Sequence, residues 1–323
     1  MQNKKYQKLI LKFIVCFSAI MTIASCTKTI ELDIPRTESK LVVQATIEQG
    51  LPPIVVLTKS VNYFDSTSLE SFAKSIVANA KVTISDGSKT ITLDTLCSDT
   101  LTGARLALLA EYVSVPVENL KRVRYCVYTI KSFFNFMVGE VGKTYTLTIE
   151  HDGKTYTATT QINAPVKLDT MYFKEEPSKK KLGYINVRFS EPKGVGSAYR
   201  WLAKRYTKDS YYLSPLGSTF QDKLIDGTTF EFYAQRASPS QSDNPEDKNE
   251  ERGLFRNDDT VIVKFASINL DVFNYYRTFD VNVANRGNPF AAPTSIQTNI
   301  KGGALGIFAG YGTWIDTVYL GGR

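Results

Sequence analysis

Residues 144–158 read Thr144-Tyr145-Thr146-Leu147-Thr148-Ile149-Glu150-His151-Asp152-Gly153-Lys154-Thr155-Tyr156-Thr157-Ala158. Apolar and polar side chains alternate on both sides of the Asp-Gly pair, which is typical of two half-buried strands. An Asp-Gly pair supplies the positive φ angles of a two-residue type I′ turn. Such a turn places Tyr156 opposite Ile149 and Ala158 opposite Leu147. The segment therefore predicts an antiparallel hairpin with one apolar face.

A second hairpin and the composition extend this prediction along the chain. Ala80 to Ser85, the pair Asp86-Gly87 and Ser88 to Thr95 repeat the pattern. A two-residue turn there would set Val82 opposite Ile91 and Ala80 opposite Leu93. The chain also has 18 Tyr and 18 Phe, residues that favour pleated sheets. The sequence predicts a mainly β protein, with an N-terminal Ig-like β-sandwich and a second β-rich domain containing one short helix.

The order of these signals predicts four segments. We expect a signal peptide at residues 1–25 and a polar tether at residues 26–40. The β-sandwich is expected at residues 41–165, and the β-rich C-terminal domain with a glycine-rich tail at residues 166–323. The boundary follows Ala164-Pro165, where a run of strand-like segments closes.

The C-terminal domain carries the predicted helix and the predicted loop. Leu270 to Val283 has a helical period that puts Val272, Tyr276, Phe279 and Val283 on one face. Leu101 to Ala110 fits either a helix or a strand. Residues 237–253 are polar without periodicity, which predicts a loop. Two glycine-bounded strands, Ala304 to Tyr311 and Thr313 to Leu320, are expected to end the chain.

The N-terminus predicts export and lipidation. The chain starts with a basic region that contains Lys4, Lys5 and Lys8. An apolar stretch from Leu9 to Ala24 follows, interrupted by Lys12, and the small residues Ala24 and Ser25 come directly before Cys26. This order is that of a secretory signal, and a Cys after Ala24-Ser25 is what a bacterial lipoprotein peptidase requires. A spanning helix would need about 20 mostly apolar residues, and a signal without lipid would need no Cys. We therefore expect Cys26 to carry the lipid.

Charge and cysteine content narrow the class of protein. The four lysines leave with the signal, so 35 basic residues face 32 acidic ones in the mature chain, which excludes the strongly basic face of a nucleic-acid binder. Cys97 and Cys126 remain after Cys16 and Cys26 are assigned to the signal and the lipid. In an oxidising envelope this pair forms a candidate disulfide, although the spacing leaves two buried free thiols open.

Candidate catalytic groups are few. His151 is the single histidine and is expected to be solvated at a hairpin tip, so a triad or a common zinc site is not expected. The carboxylate candidates for hydrolysis are Asp258-Asp259, Glu175-Glu176, and the loop acids Asp243, Glu246-Asp247 and Glu250-Glu251. We expect these to be turn or solvated residues, and predict no enzyme activity, no metal site and no cofactor.

An aromatic surface is the remaining clue to binding. The candidate residues are Tyr211-Tyr212, Phe220, Phe230, Phe232 and Tyr233. Most are expected in the core, and an exposed subset would suit glycans or peptides.

The tail carries a distinctive run. It reads Asn288-Pro289-Phe290-Ala291-Ala292-Pro293-Thr294-Ser295-Ile296-Gln297-Thr298-Asn299-Ile300-Lys301-Gly302-Gly303-Ala304-Leu305-Gly306-Ile307-Phe308-Ala309-Gly310-Tyr311. Its glycines fit either a tight crossing of strands in the core or a ligand or partner surface.

This run resembles the closing motif of a lipoprotein family of Bacteroidota, domain of unknown function 4249 (DUF4249). Supporting pieces are Cys26 with Lys28, Ile30 and Leu32-Asp33; Leu41-Val42-Val43; Gly142 to Leu147; Gly153 to Ala158; and Tyr275-Tyr276. The resemblance implies an outer-membrane lipoprotein that accompanies a TonB-dependent transporter in nutrient uptake. It implies no biochemical activity, and the Cys97 and Cys126 pair is not part of it.

The resulting expectation is a non-enzymatic lipoprotein anchored in the outer membrane through Cys26, facing either the periplasm or the outside. It would bind an unknown ligand or assist a TonB-dependent transporter, with no nucleic acid as partner. The alternatives are a carboxylate-dependent glycan or peptide hydrolase, and a structural or adhesive surface module.

Overall fold

The computed structural model describes residues 38–61, 68–131, 136–194, 196–237, 251, 253–285 and 295–321. The predicted signal peptide, Cys26 and most of the tether lie outside these ranges, as do positions 238–250 and 252 of the predicted loop and 288–294 of the tail run. Within them the protein is mainly β, which confirms the predicted fold class. No helix in the described part is long and apolar enough to cross a bilayer.

Sixteen strands and four helices are described. The strands are β1 (Leu41–Glu48), β2 (Ile54–Lys59), β3 (Lys81–Ser85), β4 (Thr90–Thr92), β5 (Asp94–Cys97), β6 (Cys126–Thr129), β7 (Thr144–His151), β8 (Lys154–Gln161), β9 (Leu168–Glu176), β10 (Lys179–Ser190), β11 (Ala198–Arg205), β12 (Thr219–Gln221), β13 (Thr229–Ala234), β14 (Phe255–Arg256), β15 (Thr260–Ile268) and β16 (Leu305–Tyr319). The helices are α1 (Leu69–Ser75), α2 (Gly103–Val113), α3 (Val117–Arg122) and α4 (Leu270–Ala284).

The strands form three sheets. The central sheet has eight strands in the order β12-β11-β15-β16-β1-β2-β6-β5. The hairpin sheet has the order β4-β3-β7-β8, and the aromatic sheet joins β9, β10, β13 and β14. Strand β16 pairs in parallel with β1 and antiparallel with β15. The central sheet therefore takes strands from both sides of the predicted boundary at residue 165.

The two four-stranded sheets cover one face of the central sheet. Val43, Ala45 and Ile47 of β1 point towards the hairpin sheet, where they pack with Leu147 and Ile149. Further along the same face, a second core lies between the central and aromatic sheets and includes these side chains: Tyr199, Trp201, Phe265, Val187 and Phe189. Burial of these apolar side chains is the main stabilising contribution to the fold.

Helices cover the two ends of the opposite face. Leu106 and Leu109 of α2 pack on Ile54 and Val56 of β2. Val272 and Phe273 of α4 pack on strand residues that include Ile268 and Ile307. The face between α2 and α4 is where the side chains of the candidate site lie.

The two predicted hairpins fold differently. In β7–β8, Tyr156 lies opposite Ile149 and Ala158 opposite Leu147, which confirms the predicted register. In β3–β4, the predicted register is wrong because Ile84, not Val82, lies opposite Ile91. Ser85 pairs with Thr90, so the four residues 86–89 form the turn. Asp86 Oδ1 accepts hydrogen bonds from the backbone N–H groups of Ser88 and Lys89 within it.

Of the two alternatives for Leu101 to Ala110, the helix is confirmed, since most of the segment lies in α2. Helices α1, α2 and α3 all precede residue 165, so helices are not confined to the C-terminal half. Two further expectations are corrected. The two final strands are one continuous strand, β16. In α4 the predicted face is only half correct: Val272 is buried and Tyr276 packs against the same core, whereas Phe279 and Val283 are 38% and 39% exposed and Phe273 faces the core instead.

Candidate functional site

Charged and aromatic side chains gather on the face of the central sheet between α2 and α4. Alternation along β16 points Tyr311 and Thr313 to this face, while Phe308 and Trp314 point to the two cores. We call the following set the ionic cluster: Glu48, Glu111, Lys204, Tyr212, Lys264 and Thr313. Its members come from β1, α2, β11, β15, β16 and the segment after β11.

Two lysine–carboxylate pairs form the ionic cluster. Lys264 Nζ lies 3.0 Å from Glu48 Oε2, and Thr313 Oγ1 donates to Glu48 Oε1 at 2.9 Å. Lys204 pairs with Glu111 of α2. Side chains of Lys264 and Glu48 are each 16% exposed, so this pair is screened less than a surface ion pair.

The two ammonium groups share one aromatic ring. Lys204 Nζ and Lys264 Nζ each lie 4.6 Å from the centroid of the Tyr212 ring, within the range of cation–π attraction. Burial, followed by the nearby carboxylates Glu111 and Glu48, raises the pKa of Tyr212 to about 12. The phenol therefore stays protonated near neutral pH and offers a ring face and a hydroxyl.

A second cluster ties α4 to β16. Arg200 Nη1 donates to the Tyr311 hydroxyl at 3.0 Å, and its guanidinium carbon lies 3.6 Å from the Tyr276 ring centroid. The hydroxyl oxygens of Tyr276 and Tyr311 are 2.7 Å apart. Burial and the neighbouring Tyr276 raise the pKa of Tyr311. Arg200 Nε is buried and has no hydrogen-bond partner among the described residues.

With the exception of Gly303, the glycines of the tail and of β16 lie against backbone rather than open space. A Cβ on Gly306 would lie 1.8 Å from the carbonyl oxygen of Val43, and one on Gly312 would lie 1.8 Å from that of Asn163. A Cβ on Gly310 would lie 2.5 Å from the carbonyl oxygen of Gln161. Of the two interpretations of the tail, these distances favour a tight crossing of strands.

The family comparison covers almost the whole chain. A family model described as "Domain of unknown function (DUF4249)" matches residues 27–313.

The chain belongs to the DUF4249 family.

The match confirms the resemblance inferred from the tail run. It begins directly after Cys26 and includes both clusters and the glycine crossing of β16 with β1. No curated protein and no solved structure shows significant similarity to the chain.

In this DUF4249 protein the described candidate carboxylates Asp259, Glu251 and Glu175 are engaged in ion pairs and hydrogen bonds within the fold. Asp259 Oδ1 accepts from Lys208 Nζ and its Oδ2 from the backbone N–H of Arg256. Glu251 pairs with Arg236 and Arg256. Glu175 accepts a hydrogen bond from the backbone of Lys181. Both buried acids are therefore held by cations inside the fold.

The remaining loop acids Asp243, Glu246, Asp247 and Glu250 lie outside the described residues. Across the described ranges, no group of three or more His, Cys, Asp or Glu side chains is arranged to hold a metal ion.

His151 is not the solvated hairpin-tip residue that the sequence predicts. It is 9% exposed, and Nε2 lies 3.1 Å from Asp152 Oδ2. The alternation that buries Tyr145, Leu147 and Ile149 continues to position 151 at the end of β7. The burial of His151 therefore follows the alternation of the strand and not its position next to the turn.

Cys97 and Cys126 face each other across β5 and β6. The structure joins them in a disulfide with a Cα–Cα distance of 4.0 Å. Both cysteines are buried, at 5% and 1% exposure. The bridge lies beside a surface cavity of about 300 Å³ lined by α1, by residues near β6 and by Cys126 itself.

The aromatic candidates split between core and surface. Phe220, Phe230 and Phe232 surround the buried Phe189 in the core of the aromatic sheet, and Tyr211 is buried. Tyr233 is 50% exposed. Sequence reasoning missed Lys204 and Lys264. Lys264 could have been found, because it is the one charged residue of the largely apolar strand β15.

Proposed function

We propose that this chain is a non-enzymatic lipoprotein of the cell envelope, anchored in the outer membrane by acyl chains on Cys26. The observation that carries the proposal is the sequence around Cys26. A basic start, a short apolar stretch and the small residues Ala24-Ser25 lead to that cysteine. Each buried CH₂ of an acyl chain contributes about 0.8 kcal/mol to membrane binding.

The arrangement of the chain agrees with an anchored body. The DUF4249 match begins at residue 27, and β1 begins at Leu41. Residues 27–40 can span at most about 50 Å when fully extended. This is a sufficient length for a tether between a lipid and a folded body.

The proposed role of the body is to bind a ligand or assist a TonB-dependent transporter. The family resemblance supports a transporter partner. The ionic cluster supports binding, since it offers ammonium groups, carboxylates and a tyrosine ring that are already held in place. A partner would use such preorganised groups at little entropic cost.

The anchor is tested with Cys26→Ala and with Cys16→Ala as the matched control. Both variants are expressed in a bacterium that processes lipoproteins and is fed an alkyne fatty acid. Cys16→Ala should label and sediment with membranes like the wild type, because its cysteine lies within the signal. Cys26→Ala should lose the label and leave the membrane fraction. Equal labelling of the two variants would refute the lipid anchor.

The transporter partnership is tested by affinity capture of the tagged chain from membranes solubilised in a mild detergent. Mass spectrometry should identify a TonB-dependent transporter that is enriched over a capture with Cys26→Ala. Recovery of the chain without any such transporter would contradict the partnership while leaving the lipid anchor intact.

A further inference from the structure

The outer face of the aromatic sheet carries tyrosines that the core does not use. Strands β9, β10 and β13 lie side by side, and their inward side chains form the core with the central sheet. Alternation turns the intervening residues outwards. We call these outward residues the tyrosine face: Tyr172, Lys174, Tyr184, Asn186, Arg188, Glu231 and Tyr233.

The tyrosines of this face are exposed and adjacent. Tyr172 is 48% and Tyr233 50% exposed. The rings of Tyr184 and Tyr233 have centroids 4.4 Å apart, and Lys174 Nζ lies 5.5 Å from the Tyr233 centroid. Neighbouring exposed aromatic rings on one sheet form an apolar patch rather than scattered surface residues.

Asn186 holds the polar groups of the face in place. It is 3% exposed and lies in β10 between Tyr172 of β9 and Tyr233 of β13. Its Nδ2 donates to the Tyr172 hydroxyl and, at 3.3 Å, to Glu231 Oε2. Its Oδ1 is buried without a hydrogen-bond donor among the described residues. These groups are therefore oriented before any ligand arrives, which lowers the entropic cost of binding.

The spacing of the two exposed tyrosines fits a chain of rings. Tyr172 and Tyr233 both lie opposite Asn186, on its two sides. Two strand spacings separate their Cα atoms by about 9.6 Å. This separation matches that of alternate sugar rings in an extended linear glycan, so each tyrosine could stack on the C–H face of one of the two rings.

The charges of the face select the class of ligand. Arg188 lies directly opposite Glu231, and Lys174 flanks Tyr233. Two cations, Lys174 and Arg188, and the carboxylate of Glu231 therefore lie among the tyrosine rings. A purely apolar partner would bury these charges without compensation. A polyanion would be repelled by the Glu231 carboxylate. A neutral polyol would use the rings and all of the hydrogen-bonding groups.

We propose that the tyrosine face binds a neutral, linear glycan chain. This deepens the proposed ligand-binding role and rests on it. The lipid anchor is tested separately, so a failure to bind glycan would leave the result for Cys26 unaffected.

The test uses the full chain, purified in a detergent without a sugar headgroup. Affinity electrophoresis and calorimetry measure binding to laminarin, xylan, glucomannan and starch, with polygalacturonate as the acidic comparison. Tyr172→Ala and Tyr233→Ala should each weaken binding to a neutral glycan about tenfold, since truncation of an aromatic contact typically has such an effect. Tyr233→Phe keeps the ring and should retain most of the affinity. Tyr206→Ala is the matched control, because Tyr206 is 61% exposed and lies outside the tyrosine face.

Binding to a neutral glycan that Tyr172→Ala and Tyr233→Ala weaken, and Tyr206→Ala does not, would support the proposal. Three results would overturn it: no binding to any neutral glycan, binding to polygalacturonate alone, or equal affinity in all variants. If the two alanine variants bind glycan normally but no longer capture a transporter, the tyrosine face binds a protein partner instead.

Discussion

At the scale of single residues, Gly306 shows how the tail motif acts. It lies at a φ of +105° opposite Val43, in the parallel pairing of β16 with β1. A side chain there would meet both an unfavourable backbone conformation and the Val43 carbonyl. The glycine is therefore required by the packing of the two strands.

We predict that Gly306→Ala lowers the free energy of unfolding by about 3–5 kcal/mol, from backbone strain and overpacking combined. Gly303→Ala is the matched control, because Gly303 also has a positive φ, +89°, but no atom lies within 4 Å of its Cβ position. The control should lose only about 1–2 kcal/mol. Urea unfolding followed by circular dichroism measures both values. Similar losses in the two variants would contradict the role of close strand packing.

At the scale of elements, local turn chemistry separates the accurate predictions from the wrong ones. The β7–β8 register follows from the sequence because Asp152 and Gly153 adopt φ values of 50° and 71° in a tight turn. The same dipeptide at Asp86-Gly87 predicts the wrong register. There the Asp86 carboxylate accepts hydrogen bonds from backbone N–H groups within a four-residue turn, residues 86–89. The predicted break at Gly312 is wrong, because this glycine marks a close approach to another backbone within the continuous strand β16.

Helix α4 provides a prediction about pH. Burial raises the pKa of Asp280, while the backbone N–H of Gly217 and the charge of Arg200 partly oppose that rise. A carboxyl with a raised pKa in the folded state favours folding at low pH. That contribution is lost as the pH rises from about 3.8, the unfolded value, through the folded pKa.

Asp280→Asn should therefore gain stability relative to the wild type as the pH rises through that window, and keep the gain at pH 7. The asparagine oxygen can still accept the hydrogen bond from Gly217. The gain should be small because Asp280 is only partly buried. Thermal unfolding from pH 3 to 8 measures it. Asp271→Asn, at the exposed first turn of α4, is the control and should show no such gain; a gain of the same size in both would refute the burial argument.

At the scale of the whole molecule, the composition of the ionic cluster explains why the sequence alone does not predict this candidate site. Glu48, Lys204, Lys264 and Thr313 belong to four strands that are neighbours only in the central sheet. Strand existence follows from local alternation, whereas the order of strands depends on long-range pairing that no local pattern encodes. The separate domains predicted on either side of residue 165 likewise rest on local patterns, although β16 pairs with strands from both sides.

The shared central sheet leads to a prediction about cooperativity. The Cys97–Cys126 disulfide spans 29 residues at the β5 end of that sheet. Its removal in Cys97→Ala with Cys126→Ala should lower stability by about 3–4 kcal/mol in the chain-entropy model.

Trp201 and Trp314, the only tryptophans, report on the core beneath the aromatic sheet at the other end. Since β16 joins both ends, the tryptophan emission and the far-ultraviolet circular dichroism should shift to the same lower urea midpoint. A reductant should reproduce that shift in the wild type and leave the double variant unchanged. A tryptophan midpoint that stays fixed while the dichroism falls earlier would instead show two independently folding domains divided near residue 165.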